Sequence, residues 1–205
     1  MYKVEVTPVE NREGFKGTGS ICFDESLKIT GLKILEKKAG GLYVSMPAYK
    51  TKEKDEEGRP VYASICAPRN REFAAELTEN FLKTYEEALK KGKKAELIVE
   101  GAERELNARV TPFEKEGSSI LGLGTINIGD DFKINNIRVS RGVSKGKEFE
   151  YVDMPSYKTI RDGKEEYQDY AYPVTAEARK KIISTVKNAY KEELDKGVVT
   201  AKKGR

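Results

Sequence analysis

Tyr43-Val44-Ser45-Met46-Pro47-Ala48-Tyr49-Lys50-Thr51 returns as Tyr151-Val152-Asp153-Met154-Pro155-Ser156-Tyr157-Lys158-Thr159, 108 positions later. Working outward, Gly19-Ser20-Ile21 pairs with Gly124-Thr125-Ile126 at an offset of 105, and Val6-Thr7-Pro8 with Val110-Thr111-Pro112 at 104. Leu27-Lys28-Ile29 and Leu32-Lys33-Ile34 answer to Phe132-Lys133-Ile134 and Ile137-Arg138-Val139, again at 105. By Pro68 and Pro173 the offset is back to 105, so the second copy gains three residues around positions 142–150 and loses three after Thr159. Changes of that size fit surface turns. The chain is therefore one unit of about a hundred residues, small-domain size, written twice.

Within each copy the hydrophobic period changes once. Val4 and Val6 open an alternating strand, followed by Thr18 to Phe23, Leu27 to Leu35 and Leu42 to Met46. Pro47 removes a ladder donor and ends the last of these. Lys52 to Arg59 is charged, ends at Gly58 and reads as an exposed loop; Val61 to Ala67 returns as a short strand closed by Pro68. The period then becomes helical. Phe73, Leu77, Phe81, Tyr85 and Leu89 form one stripe, and Ala178, Ile182, Val186, Tyr190 and Leu194 the matching one, with Gly92 and Gly197 as expected helix ends. A lone helix of this length is marginal in water, so each stripe must lie on its sheet. The fold class is α+β: two tandem repeats, each a small antiparallel β-sheet followed by a C-terminal amphipathic α-helix. The expected divisions are repeat 1 at 1–92, a linker at 93–103, repeat 2 at 104–197 and a mobile basic tail at 198–205. Leu97-Ile98-Val99 within the linker is compatible with an ordered strand or with a tether.

Composition narrows the chemistry. No apolar run approaches the roughly 20 residues of a membrane span, and the N-terminus lacks the apolar stretch of a signal peptide. Cys22 and Cys66 lie in apolar strand-like segments and read as two reduced thiols, which favours the cytoplasm. There is no histidine, hence neither the commonest general base nor the commonest metal ligand. Cys-x-x-Cys pairs, phosphate-binding glycine loops and nucleophile elbows are likewise absent from the sequence, so neither an enzyme nor a cofactor is expected. Asp55-Glu56-Glu57, Asp130-Asp131 and Glu165-Glu166 read as loop and turn charge. The net charge of +4 belongs wholly to the second half, since residues 1–103 hold 18 basic and 18 acidic side chains.

The duplicated Met-Pro segment is what remains. Past the strand end come a ring and a cation, Tyr49-Lys50 and Tyr157-Lys158, then Lys52 and Lys54 in one copy and Arg161 and Lys164 in the other. Rings that stack on bases beside cations that meet phosphate make a single-strand nucleic-acid surface. The same residues are equally compatible with tyrosines packed on the sheet and ordinary solvated lysines.

Both copies resemble the SpoVG family of bacterial sporulation and septation regulators. The resemblance runs from the Val-Thr-Pro opening to the closing helix, and Met154-Pro155-Ser156-Tyr157-Lys158-Thr159, Asp162-Gly163, Pro173 and Arg179 carry its most specific part. It implies a small cytoplasmic dimer that binds DNA or RNA, so the tandem chain looks like a dimer fused into one polypeptide, packed as an intramolecular pseudo-dimer. Fusion would raise the effective concentration of one half for the other to roughly millimolar. Carried over by position, the family's basic residues fall on Lys50 and Lys158, and on Arg161 and Arg179. This sequence departs from the family where Tyr49 and Tyr157 replace one of two adjacent cations. Ala74 stands at the place of Arg179, and Glu72, Glu76 and Glu79 make the first helix acidic. The expected partners are DNA or RNA, bound weakly, and a second copy of the chain through open sheet edges. A protein-interaction module that has kept the fold and lost nucleic-acid binding is the alternative.

Overall fold

Side-chain alternation sets the first sheet. In the computed structural model, which describes residues 1–10 and 13–203 and side chains as far as Gly197, the strand β1 (Tyr2–Pro8) buries Tyr2, Val4 and Val6 on one face. It pairs antiparallel with β2 (Phe15–Phe23), which pairs with β3 (Leu27–Glu36); β4 (Leu42–Ser45) then lies along the far half of β3. The helix α1 (Arg71–Lys91) covers β1 with Phe73, Leu77, Phe81 and Tyr85. Asn70 caps its start by accepting the Phe73 N–H at 2.7 Å, and Gly92 closes it in the left-handed region at φ 62°. Leu89, the last residue of the stripe, lies past the sheet and is exposed.

The second copy repeats the plan. β9 (Leu106–Pro112), β10 (Ile120–Ile128), β11 (Phe132–Ser144) and β12 (Lys147–Asp153) form the second sheet, with α2 (Ala176–Lys203) packed on β9. Gly197 does not end α2, contrary to expectation; the helix continues through it to Lys203. Of the expected tail, positions 198–203 continue this helix, while their side chains and residues 204–205 lie outside the described residues. Leu97-Ile98-Val99 proves to be part of a strand, β8 (Ala95–Val99), that pairs along the outer edge of β1. The matching edge of β9 carries no strand among the described residues.

Two further expectations need correction. Only part of Lys52 to Arg59 is a loop: β5 (Ala48–Lys54) and β6 (Pro60–Ser64) form a hairpin, and residues 55–59 are its exposed turn, with Gly58 at φ 75°. Its counterpart is β13 (Ser156–Arg161) with β14 (Lys164–Asp169), joined by Asp162-Gly163, both at positive φ as a two-residue hairpin turn requires. The strand expected over Val61 to Ala67 is also split. Its end, β7 (Cys66–Pro68), leaves its own copy and pairs with Phe132–Ile134 of β11, whereas β15 (Ala171–Pro173) pairs with Leu27–Ile29 of β3. Each copy thus supplies one strand of the other's sheet. Asn70, the cap of α1, donates to the carbonyl of Asp130 in the opposite copy at 3.1 Å.

This exchange joins the cores of the two copies. One cluster contains Tyr2, Phe23 and Phe73 of the first copy with Phe132, Ile134 and Val139 of the second. Phe23 and Phe132 meet across the join at 5.2 Å between ring centroids. Truncating either ring would cost about 3–5 kcal/mol, a large share of a domain's net stability. Antiparallel sheets first, a helix last, and the two copies packed as a pseudo-dimer: that much agrees with the sequence.

Candidate nucleic-acid interface

The two hairpins form sheets of their own, and no residue of β5, β6, β13 or β14 is buried. Because Tyr49 and Lys50 lie within a strand, they point to opposite faces, and so do Tyr157 and Lys158. The ring and cation that adjoin in sequence are therefore separated. Lys50 instead faces Tyr62 across the hairpin, and Lys158 faces Tyr167 in the same relation. These two rings are the most accessible tyrosines, 63% and 74% exposed. Sequence reasoning missed both; the signal was their place one hairpin turn away from the lysines.

Lys50 and Lys52 make no ion pair with the described residues, whereas Lys158 meets Glu165 at 2.6 Å. Both partners of that pair are at least half exposed, so water and salt leave it little net worth. In the first turn, Asp55 accepts the Arg59 and Glu57 amides and binds the Arg59 guanidinium, which together hold its carboxyl below the ordinary value. Arg161 closes β13 opposite Lys164, at the outer end of its hairpin.

Tyr49 and Tyr157 open onto one groove of about 540 Å³ where the copies join, with Leu123 and Arg138 of the second sheet on its floor. Tyr157 stacks on Tyr170 at 4.6 Å and donates its hydroxyl to Gln168. Arg138 also borders a second cavity of about 430 Å³ that holds Tyr167, Asp153, Asp169 and Arg179. There burial raises the Asp169 carboxyl, Arg179 opposes that rise and Asp153 adds to it. Arg179 is thus balanced by acids rather than offered alone to solvent. Of the expected residues, the groove gathers Tyr49 and Tyr157, the second cavity holds Arg179, and Lys50, Lys52, Lys158 and Arg161 lie on the hairpins outside both. Arg138 was missed, although the repeat alignment sets it opposite Lys33, a cation at the same strand position in both copies.

Elsewhere the chemistry is quiet. Burial pushes the Cys66 thiol up to about 12 and also raises Cys22; both are free. Among the described residues no helix is long and apolar enough to cross a membrane, and no three metal-ligating side chains gather.

The SpoVG family profile matches residues 1–87 and again residues 104–192. The chain belongs to the SpoVG family. Its relatives correspond to single copies. A SpoVG protein of Acholeplasma laidlawii is 37% identical over 78 residues, which are 38% of this chain and 76% of that protein. One from Clostridium beijerinckii is 31% identical over 93 residues, 45% of this chain and 93% of its own length. One from Archaeoglobus fulgidus is 33% identical over 79 residues, 38% of this chain and 85% of that protein. All three carry septation names. No solved structure gives a significant match.

Proposed function

We propose that this tandem SpoVG chain is a non-enzymatic cytoplasmic regulator that binds DNA or RNA through its two hairpins. One observation carries the reading: a lysine stands across from an exposed tyrosine at the same place in both copies, Lys50 with Tyr62 and Lys158 with Tyr167. Exposed aromatic rings on a polar hairpin gain nothing from the core, and a ring beside a cation suits a base beside its phosphate. The septation names of the relatives support a role for such a regulator in cell division. The open edge of β9 is the natural place for two chains to pair, since β8 already covers the matching edge of β1.

Binding is weak, tolerant of sequence and steeply dependent on salt. Titrating labelled single-stranded and duplex DNA and RNA at two salt concentrations tests this. Replacing Lys50 and Lys158 by alanine lowers the log–log salt slope by roughly 1.5 to 2 if each lysine meets one phosphate. An unchanged slope removes both from the interface. The acidic Glu72, Glu76 and Glu79 on α1 favour the second reading, a protein-interaction module, and flat titrations with every nucleic acid at low salt would select it.

A further inference from the structure

The groove between the copies has no role in the hairpin contacts just described. We propose that it seats one unpaired base of a single-stranded nucleic acid, with Arg138 meeting the neighbouring phosphate; this rests on the nucleic-acid reading above and names its strand class.

The walls are aromatic and come from both copies. Tyr49 arrives on the first hairpin and Tyr157 on the second, with Tyr170, just past the second hairpin, 4.6 Å from Tyr157 between ring centroids and inclined by 42°. The floor is apolar: Ile65, Ile120 and Leu123 line it, and Leu123 is left 42% exposed in the middle of a strand. At about 540 Å³ the space lies within the range of small-molecule sites, enough for a flat ring with a polar edge. Asn136 and Ser156 supply polar groups within it, and among the described residues Arg138 is the one charged side chain that lines it.

This combination excludes a duplex. Bases in a helix are stacked and paired, so an apolar floor beneath aromatic walls can be reached only by a base that is already free. Stacking on tyrosine is indifferent to base identity, which matches binding without sequence preference. Arg138 lies at the join with the second cavity, where Asp153 and Asp169 outnumber Arg179 and leave no net attraction for a further phosphate. One phosphate is therefore held at this place. Tyr49 and Ile65 come from the first copy and Ile120, Leu123 and Arg138 from the second, so the seat needs both copies of one chain and the expected stoichiometry is one strand per chain.

The test compares Tyr49→Ala, Arg138→Gln and Leu123→Asp with the unaltered chain, by fluorescence anisotropy of labelled single-stranded oligonucleotides and of a matched duplex. Thermal unfolding of each variant runs alongside. The expected result is a preference for single strands at one strand per chain. Tyr49→Ala should weaken single-strand binding roughly 5- to 100-fold, as loss of one stacked base requires. Arg138→Gln should lower the single-strand salt slope by about 0.7, the share of one phosphate. Leu123→Asp, which puts a carboxylate on an already exposed floor position, should also abolish the preference, and it decides the matter if Tyr49→Ala unfolds. Equal affinity for duplex and single strand, with all folded variants binding as the unaltered chain does, overturns the seat and leaves the hairpin interface standing. No binding of any nucleic acid at low salt overturns both.

Discussion

Glu5 is the point at which the first sheet is most open to perturbation by pH. Its carboxylate lies on the face of β1 away from α1, 11% exposed, and accepts from Ser20 at 3.1 Å, Lys94 at 3.0 Å and Lys28, with Lys3 at 3.5 Å. Burial alone would raise its pKa; the lysine and serine hydrogen bonds outweigh this and bring it from 4.5 to about 2. The folded-state value lies below the unfolded one, so the stabilisation is complete above about pH 4.5 and is lost as pH falls toward 2. A gap of that size is worth at most about 3.4 kcal/mol at 1.36 kcal/mol per unit. Lys94 is 54% exposed and Lys3 36%, so solvent screening reduces the expectation to about 1–2 kcal/mol. Glu5→Gln should therefore lower the Tm by about 2–8 °C at pH 7 for a chain of this size. Thermal unfolding of both proteins at pH 7, 4.5 and 3 reads the effect, and the difference between them should shrink as the pH drops. Equal Tm at pH 7, or a difference that persists unchanged at pH 3, refutes the assignment.

Other consequences are simpler to read. The Arg104 guanidinium lies 5.5 Å from the ring centroids of Tyr2, Phe23 and Phe73 and binds Asp131 of the second copy at 2.8 Å. Arg104→Ala should cost about 2 kcal/mol in urea unfolding, with Arg104→Lys intermediate because it keeps the charge without the planar fork; a loss below about 0.5 kcal/mol would contradict this. A Cβ on Gly19 would come within 2.4 Å of the buried Phe81 ring, so Gly19→Ala should destabilise by about 1–3 kcal/mol. Gly101→Ala, with open space around it, should be near neutral in the same assay. Residues 1–103 and 104–205 produced as separate chains should associate when mixed and be poorly folded apart, which size-exclusion chromatography and circular dichroism would report.

The repeat was legible because its most specific segment contains Met-Pro, and the helices because Phe73 to Tyr85 recur every fourth residue on one buried face. The hairpins were not, for a physical reason. Alternation marks a strand only when one face is buried, and the strands around Lys50 and Lys158 have water on nearly all sides. The strand exchange left no trace either. Cys66-Ala67-Pro68 would pair as well with Leu27-Lys28-Ile29 as with its actual partner, Phe132-Lys133-Ile134, since the two are copies of each other. Gly197 misled because a glycine favours a helix end without requiring one; Gly92 ends α1 by adopting φ 62° and donating to the last turn's carbonyls. Of the candidate site, the sequence drew attention to Tyr49, Lys50, Tyr157 and Lys158 but not to how they group, because neighbours along a strand face opposite ways.

The crossing of β7 and β15 between copies also bears on how this gene can change. Deleting either half would remove a strand from the survivor's sheet and uncover part of the joint core, so the duplication is not readily reversed by losing one part. Inherited variation is steered instead to the outer hairpins and helix faces, which the shared interior does not constrain. The halves as wholes already differ in net charge, one neutral and the other basic.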